Sequence, residues 1–139
     1  MGYLLDTNIV IFVLKDQVGK AATRLSQESP SDVVVCAVVE AELDHGATKY
    51  GVPDRRSHAL DGFLAPFPSL PFDSACVPQY ARLRDALERT GQVIGGNDML
   101  IAAIALTHDL TVVTHNCGEF NTRERGKGSL LEFRSWQKD

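Results

Sequence analysis

The fold is decided by the segment Tyr3-Leu4-Leu5-Asp6-Thr7-Asn8-Ile9-Val10-Ile11. Its first three residues are apolar, the next three are polar, and residues 9–14 are again apolar. This order predicts a buried strand, a polar turn and a helix. Polar residues that directly follow a buried strand lie at the carboxyl edge of a sheet, where α/β proteins place their functional groups.

The alternation of strands and helices continues along the rest of the chain. Further strands are predicted at residues 33–35, 110–114 and 129–133, while residues 67–72 contain two prolines and are at best an edge strand. Helices are predicted at residues 20–27, 38–50, 55–64, 73–90 and 99–106. The last of these is apolar all round, which is typical of a buried central helix. This alternation predicts an α/β fold with a mainly parallel sheet covered on both faces.

Length and composition restrict the function classes. A chain of 139 residues with 44% hydrophobic content is the size of one domain, and we expect residues 1–139 to form it. No apolar run approaches the ~20 residues that span a bilayer, and the first residues do not resemble a signal peptide. We therefore expect a cytoplasmic protein that does not enter a membrane.

Charge and cysteine content exclude two further classes. The formal net charge of −4 argues against a protein that coats nucleic acid non-specifically. The three cysteines, Cys36, Cys76 and Cys117, are widely spaced and include no Cys-x-x-Cys pair. This spacing argues against a disulfide framework and against a zinc site, so we expect reduced, unreactive thiols.

Acidic and amide side chains occur at the predicted strand ends and helix starts. Asp6-Thr7-Asn8 follows the first strand, Thr114-His115-Asn116 follows the strand at 110–114, and Asn97-Asp98 opens the apolar helix. Glu42 lies in the second turn of the helix after residues 33–35. We expect these groups to meet at one rim of the sheet.

Carboxylates that meet at such a rim repel one another and raise one another's pKa unless a cation neutralises them. Oxygen ligands suit Mg²⁺ or Mn²⁺, which keep several waters and can share a substrate phosphate. Such an ion can activate water, orient a phosphate and stabilise the developing charge. The pattern therefore predicts phosphodiester hydrolysis.

Each residue taken alone also fits a structural role. Asp6 and Asp98 could be helix N-caps, and Glu42 could be a solvated helix residue. Glu40 competes with Glu42, but two helical positions differ by ~200° of rotation, so the two acids cannot share a face. Thr7 and Asn8 could serve only as turn and cap residues. The joint placement of these residues is what favours a metal site.

Four segments, in this order and at this spacing, resemble the PIN-domain family, and specifically the VapC toxins of prokaryotic toxin-antitoxin pairs. The resemblance extends from residue 3 to about residue 136. The segments are Tyr3-Leu4-Leu5-Asp6-Thr7-Asn8-Ile9-Val10-Ile11, Ala41-Glu42-Leu43 with Gly46, Ile94-Gly95-Gly96-Asn97-Asp98-Met99-Leu100-Ile101-Ala102-Ala103, and Thr114-His115-Asn116 with Glu119-Phe120.

The resemblance implies a three-layer α/β/α sandwich, a homodimer, and Mg²⁺-dependent cleavage of structured RNA such as tRNA or rRNA, with Mn²⁺ as a substitute. It also implies neutralisation by a VapB-like antitoxin. The implied metal ligands and catalytic acids are Asp6, Glu42 and Asp98, and Asn116 is a further catalytic residue. The residues implied to assist are Thr7, Asn8, Thr114 and Glu119.

The sequence departs from the family pattern at three positions. Gly96 replaces a frequent proline, and Cys36 stands where Ser or Thr commonly begins the Glu42 helix, which weakens the expected cap. Asn116 occupies a position that is acidic in many PIN domains. These departures leave open whether one or two metal ions bind, and whether Asn116 or Glu119 completes the site.

Two other metal-using α/β classes fit the sequence less well. A phospho-accepting receiver domain needs a lysine at a late strand end, where this chain has Thr114-His115-Asn116. A haloacid-dehalogenase-type phosphatase needs Asp-x-Asp after its first strand, where this chain has Asn8 as the third residue. A PIN-like module that binds RNA or a partner without cutting remains the alternative, although retention of all three acids argues against it.

Overall fold

Five parallel strands form the central sheet of the computed structural model, which describes residues 2–49, 53–92, 94–114 and 132–134. Their order across the sheet is β3-β2-β1-β4-β5, and every pairing is parallel. The strands are β1 (Gly2–Leu5), β2 (Val33–Cys36), β3 (Ser69–Leu70), β4 (Leu110–Val113) and β5 (Glu132–Arg134).

Helices provide the crossovers that parallel strands require. They are α1 (Thr7–Lys15), α2 (Lys20–Gln27), α3 (Ala37–Lys49), α4 (Pro53–Leu64), α5 (Val77–Arg89) and α6 (Gly96–Thr107), with 3-10 turns at Pro30–Asp32 and Ser74–Cys76. These helices flank the sheet, which confirms the predicted α/β/α architecture. No helix in the described part of the chain is long and apolar enough to cross a membrane.

Several helix boundaries differ from the prediction. Helix α1 begins two residues early, at Thr7, because Asp6 acts as its N-cap and accepts a hydrogen bond from the Thr7 N–H. Helix α4 begins at Pro53, two residues before the predicted start at residue 55, since proline at the first helical position has no N–H that needs a partner.

The short strands and the end of α5 agree more closely with the prediction, whereas α5 begins at Val77 and not at residue 73, because a 3-10 turn occupies Ser74–Cys76. The edge strand between the two prolines is only two residues long, Ser69–Leu70. Helix α5 ends before Gly91, whose φ of 69° is a left-handed conformation that glycine adopts without strain. The final strand is Glu132–Arg134, and the part of its prediction at residues 129–131 lies outside the described residues.

The core confirms the prediction of a buried central helix. Five consecutive residues of α6, from Ile101 to Ala105, are buried. Strands β1, β2 and β4 add fully buried side chains such as Leu4, Val33 and Val113. A helix buried on all sides needs no polar face, which explains its uniformly apolar sequence.

The topology identifies the edge of the sheet at which a site is expected. Strand β1 lies between β2 and β4, so the chain leaves β1 in one direction and later returns on the other side. In open parallel sheets such a switch point forms a crevice at the carboxyl ends of the strands. The residue that follows β1 is Asp6.

Candidate functional site

Asp6 is buried at the carboxyl end of β1, with 3% of its surface exposed. Its Oδ1 accepts a hydrogen bond from the Thr7 backbone N–H at 2.7 Å, and its Oδ2 accepts one from the Thr114 hydroxyl at 2.9 Å. The Asp6 backbone N–H donates to the carbonyl of Val113 at 3.0 Å. The carboxylate is therefore fixed between β1, β4 and the start of α1.

The environment of Asp6 raises the pKa of its carboxyl group. Burial is the largest cause, because it penalises the charged form, and the charge of Glu42 raises the pKa further. The hydrogen bonds from Thr114 and Thr7 act in the opposite direction and lower it. A cation beside this carboxylate would stabilise its charged form.

Glu42 lies close to Asp6 because Thr7 connects them. The Thr7 hydroxyl donates to Oε1 of Glu42 at 2.7 Å, while the Thr7 N–H holds Asp6. This single residue joins the start of α1 to the second turn of α3. Of the two candidate acids on α3, Glu42 is the one that lines the pocket beside Thr7. The sequence pattern indicates only an assisting or capping role for Thr7 and does not predict this hydrogen bond.

Asp98 occupies the first turn of α6, but it is not the N-cap residue. That position belongs to Gly95, whose carbonyl accepts a hydrogen bond from the Met99 N–H at 3.0 Å. Asp98 is therefore not the N-cap of α6, although the sequence left that role open. An acid in the first turn of a helix is stabilised by the helix dipole, so the charge of Asp98 is favourable there.

The structure joins Asp6 to Glu42 through Thr7, but it does not assemble all three predicted acids into one group. Within the described ranges, no group of three His, Cys, Asp or Glu side chains is arranged to hold a metal ion, so Asp98 does not complete such a group with the other two. Asn116 and Glu119 lie outside the described residues. The donor set nevertheless fits Mg²⁺ or Mn²⁺, because both acids present hard carboxylate oxygens at one place.

The remaining predicted residues differ in exposure. Thr114 is fully buried and contacts Asp6, whereas Asn8 is exposed on α1. Thr114 therefore supports the acidic site directly, whereas the Asn8 side chain forms no hydrogen bond with Asp6 or Glu42.

An open pocket of about 580 Å³ adjoins the acids. Thr7 and Glu42 lie on its wall together with His45 and Asn97, both exposed polar residues. Its lining residues are Thr7, Ala37, Val38, Ala41, Glu42, His45, Asn97 and Leu100. His45 is not among the residues predicted from the sequence, although its position three residues after Glu42 places both side chains on one helical face.

Cys36 lies where α3 begins, in place of the usual Ser or Thr. The thiol is fully buried at the end of β2. Burial raises the pKa of Cys36 to about 11, and the nearby charges of Asp6 and Glu42 contribute to the increase. The thiol is therefore protonated at neutral pH. Cys36 and Cys76 are both free thiols, as predicted, and Cys117 lies outside the described residues.

Comparison with known proteins identifies the family. Residues 3–120 match the PIN domain family model. Ribonuclease VapC2 of Rickettsia felis is 33% identical over 139 residues, which cover 99% of this chain and 100% of that protein. The tRNA(fMet)-specific endonuclease VapC of Shigella flexneri is 31% identical over 118 residues, which cover 85% of this chain and 89% of that protein.

Solved structures agree with the sequence comparison. A crystal structure of VapBC2 from Rickettsia felis, bound to a DNA fragment from its promoter, superposes with a TM-score of 0.85 and 29% identity, covering 98% of this chain and 99% of that chain. The DNA-bound VapBC of Salmonella typhimurium gives a TM-score of 0.87 and 26% identity, covering 98% of each. The chain belongs to the PIN-domain family and, within it, to the VapC ribonucleases.

Proposed function

We propose that this protein is a Mg²⁺-dependent endoribonuclease that cuts structured RNA, tRNA or rRNA, and acts as the toxin of a type II toxin-antitoxin pair. One observation carries the proposal: Thr7 holds the carboxylates of Asp6 and Glu42 together at the carboxyl end of β1. Two acids held beside an open pocket, in a fold shared with ribonucleases, suit the cleavage of a phosphodiester.

Asp6 and Glu42, already held together by Thr7, would bind the divalent cation. Asp98 would join them when the ion is bound, and Asn116 or Glu119 would complete the site. A bound divalent cation supplies the positive charge that lowers the pKa of water and offsets the charge of a phosphate. The chain's own contribution is preorganisation. Thr114 and the Thr7 N–H fix both oxygens of Asp6, and the Thr7 hydroxyl orients Glu42.

The proposal of a tRNA or rRNA substrate is supported by the relatives. The Shigella flexneri protein is named a tRNA(fMet)-specific endonuclease. Structured RNA also presents unpaired loop nucleotides whose bases can turn outward, and an open pocket beside the acids suits such a nucleotide.

The proposed partner is a small VapB-like antitoxin, and the proposed assembly is a homodimer. The superposed Rickettsia and Salmonella structures are VapBC complexes. An arginine from the antitoxin, inserted between Asp6 and Glu42, would neutralise the carboxylates and occupy the place of the cation.

A cleavage assay tests the enzymatic part. Purified protein is incubated with total cellular RNA in EDTA, and then with excess Mg²⁺ or Mn²⁺, beside an Asp6→Asn variant. We expect cleavage only when metal is added and only by the unmodified protein. Undiminished cleavage in EDTA overturns the mechanism, and no cleavage with any metal favours the module that binds without cutting.

Co-expression tests the partner and the assembly. The small gene adjacent to this one is expressed with it, and the complex is purified through a tag on one chain and sized by light scattering. A stable complex containing two copies of this chain is expected. A monomer across micromolar concentrations, or no small neighbouring gene, contradicts this part of the proposal.

A further inference from the structure

The pocket beside Glu42 combines two kinds of surface. Helix α3 contributes Val38, Ala41 and His45, and α6 contributes Asn97 and Leu100. Each of the two helices therefore presents both apolar and polar side chains to the pocket. Neither the His45 nor the Asn97 side chain makes a hydrogen bond with another of the described residues, so both are available to a ligand.

The composition of the pocket indicates which part of a nucleotide fits it. A phosphate would gain nothing from the apolar side chains and would be repelled by Glu42. A nucleobase has apolar faces that stack on histidine and a polar edge that an asparagine amide can recognise. The volume of about 580 Å³ lies within the range of about 300–1,000 Å³ for small-molecule pockets.

The location of the pocket indicates which nucleotide it would receive. Thr7 and Glu42 belong both to the pocket wall and to the acidic site. A base is joined to its backbone phosphate through one sugar, so a base in the pocket belongs to the nucleotide next to the bond at the acids.

We propose that this pocket binds the RNA nucleobase adjacent to the scissile phosphate, with His45 stacking on the base and Asn97 reading its edge. This inference rests on the proposed ribonuclease function. It identifies His45 and Asn97 as specificity-determining residues outside the acidic cluster.

An abasic scan tests the stacking role. A five-nucleotide RNA that contains one cleavage site is prepared with each base removed in turn, and kcat/KM is measured with Mn²⁺. For the unmodified protein, loss of one base beside the cleaved bond lowers kcat/KM about tenfold, because stacking of a base on a side chain contributes that much to binding. In the His45→Ala variant, removal of the same base changes kcat/KM by less than about twofold, because the side chain on which the base stacks is absent.

Matched variants separate the pocket from general effects on the protein. His58 is an exposed histidine on α4 outside the pocket, so His58→Ala retains the full abasic effect. Ala41→Phe fills the pocket from an exposed position and weakens binding of the intact pentamer about tenfold in EDTA, measured by fluorescence polarisation. Ala81→Phe, an equivalent change at an exposed position of α5, does not weaken it.

The recognition role of Asn97 has its own readout. Cleavage is compared for pentamers that carry each of the four bases at the position identified by the abasic scan. We expect Asn97→Ala to reduce the preference among them to within about twofold, because the amide that distinguishes base edges is absent. Circular dichroism confirms that each variant is folded.

The outcomes distinguish failure of this inference from failure of the proposed function. If the unmodified protein neither binds nor cleaves RNA with any metal, both are wrong. If it cleaves RNA but the abasic effect is unchanged in His45→Ala, the function stands and the nucleobase pocket is wrong. If Ala41→Phe prevents antitoxin binding but leaves RNA binding unchanged, the pocket is a protein-docking site and the inference is overturned.

Discussion

The hydroxyl of Thr114 donates a hydrogen bond of 2.9 Å to the Asp6 carboxylate, although 108 positions of sequence separate the two residues. Both residues are buried at the carboxyl ends of neighbouring parallel strands. A buried carboxylate needs hydrogen-bond donors to offset its lost hydration. Asp6 has two donors among the described residues, the Thr114 hydroxyl and the Thr7 backbone N–H. The contact therefore links the sheet register directly to the electrostatics of the site.

Replacing Thr114 with valine should destabilise the protein. Thr114→Val keeps the shape of the side chain but leaves Oδ2 of Asp6 buried without this donor, which costs about 1–3 kcal/mol. Thr114→Ser keeps the hydroxyl and should recover most of the loss. Chemical denaturation in EDTA measures the free energy of unfolding. Equal losses in both variants would show that packing of the methyl group matters more than the hydrogen bond.

The pH dependence of stability should reveal the raised pKa of Asp6. Because the pKa is raised in the folded state, the buried charge destabilises the fold at neutral pH, and this penalty disappears as pH falls through the folded pKa towards the ordinary value of 3.8. Asp6→Asn removes the charge, and its amide can still engage Thr7 and Thr114. The variant should melt at a higher temperature than the unmodified protein at pH 7 in EDTA, and the difference should decrease with acidification. A difference that does not vary with pH would contradict this account.

Substitution at Asp98 separates metal binding from structure. Asp98→Asn keeps the size of the side chain and removes one charge from the proposed site, so the variant should fold but cleave RNA at least about 100-fold more slowly, since even outer-shell partners of a metal contribute about 10–100-fold. Asp6→Asn should lose activity in the same way. Melting temperature, Mn²⁺ affinity by calorimetry and RNA cleavage are the measurements.

Glu40→Gln is the matched control for this comparison. Glu40 lies on α3 only two residues from Glu42 but on another face of the helix, so its variant should remain active. If Asp98→Asn unfolds the protein, or keeps full activity and unchanged metal affinity, Asp98 is structural. The acidic-site model would then need to be replaced by one centred on Asp6 and Glu42 alone.

The sequence predicted the strands and the acids that follow them, because hydrophobic periodicity depends on local residues. It could not predict that Thr7 would donate to Glu42, since this contact depends on how α1 packs against α3. It also left open an N-cap role for Asp98, a position that Gly95 occupies, because the first turn of α6 begins earlier than the apolar pattern does. Boundaries of this kind are set by backbone hydrogen bonds, which a hydrophobic pattern does not encode.

The Cys36 thiol should be unreactive in the folded protein. Its sulfur is fully buried, and its pKa of about 11 means that the reactive thiolate is scarce at neutral pH. Iodoacetamide at pH 7.5 followed by peptide mass spectrometry should show modification of Cys36 only after unfolding in urea. Cys76, which is equally buried, is the internal comparison. Rapid labelling of native Cys36 would show that the start of α3 opens readily.

The hydroxyl of Thr7 should be required for metal binding more than for folding. Thr7→Val keeps the branched side chain and the backbone N–H that donates to Asp6, but it removes the hydroxyl that donates to Glu42. When a metal ligand such as Glu42 loses the hydrogen-bond partner that orients it, metal affinity or activity falls by about 10–100-fold. The half-buried position limits the cost in unfolding free energy to about 1 kcal/mol.

Two variants make this last test specific. Thr7→Ser retains the hydroxyl and should keep Mn²⁺ affinity and cleavage rate near those of the unmodified protein. Thr23→Val is the matched control, because the Thr23 hydroxyl donates only to the backbone carbonyl of Gly19 on an exposed surface of α2. Calorimetry with Mn²⁺, RNA cleavage and thermal melting are compared across the three variants. Unchanged Mn²⁺ affinity in Thr7→Val, or an equal loss in Thr7→Ser, would show that Glu42 does not depend on this hydrogen bond for its position.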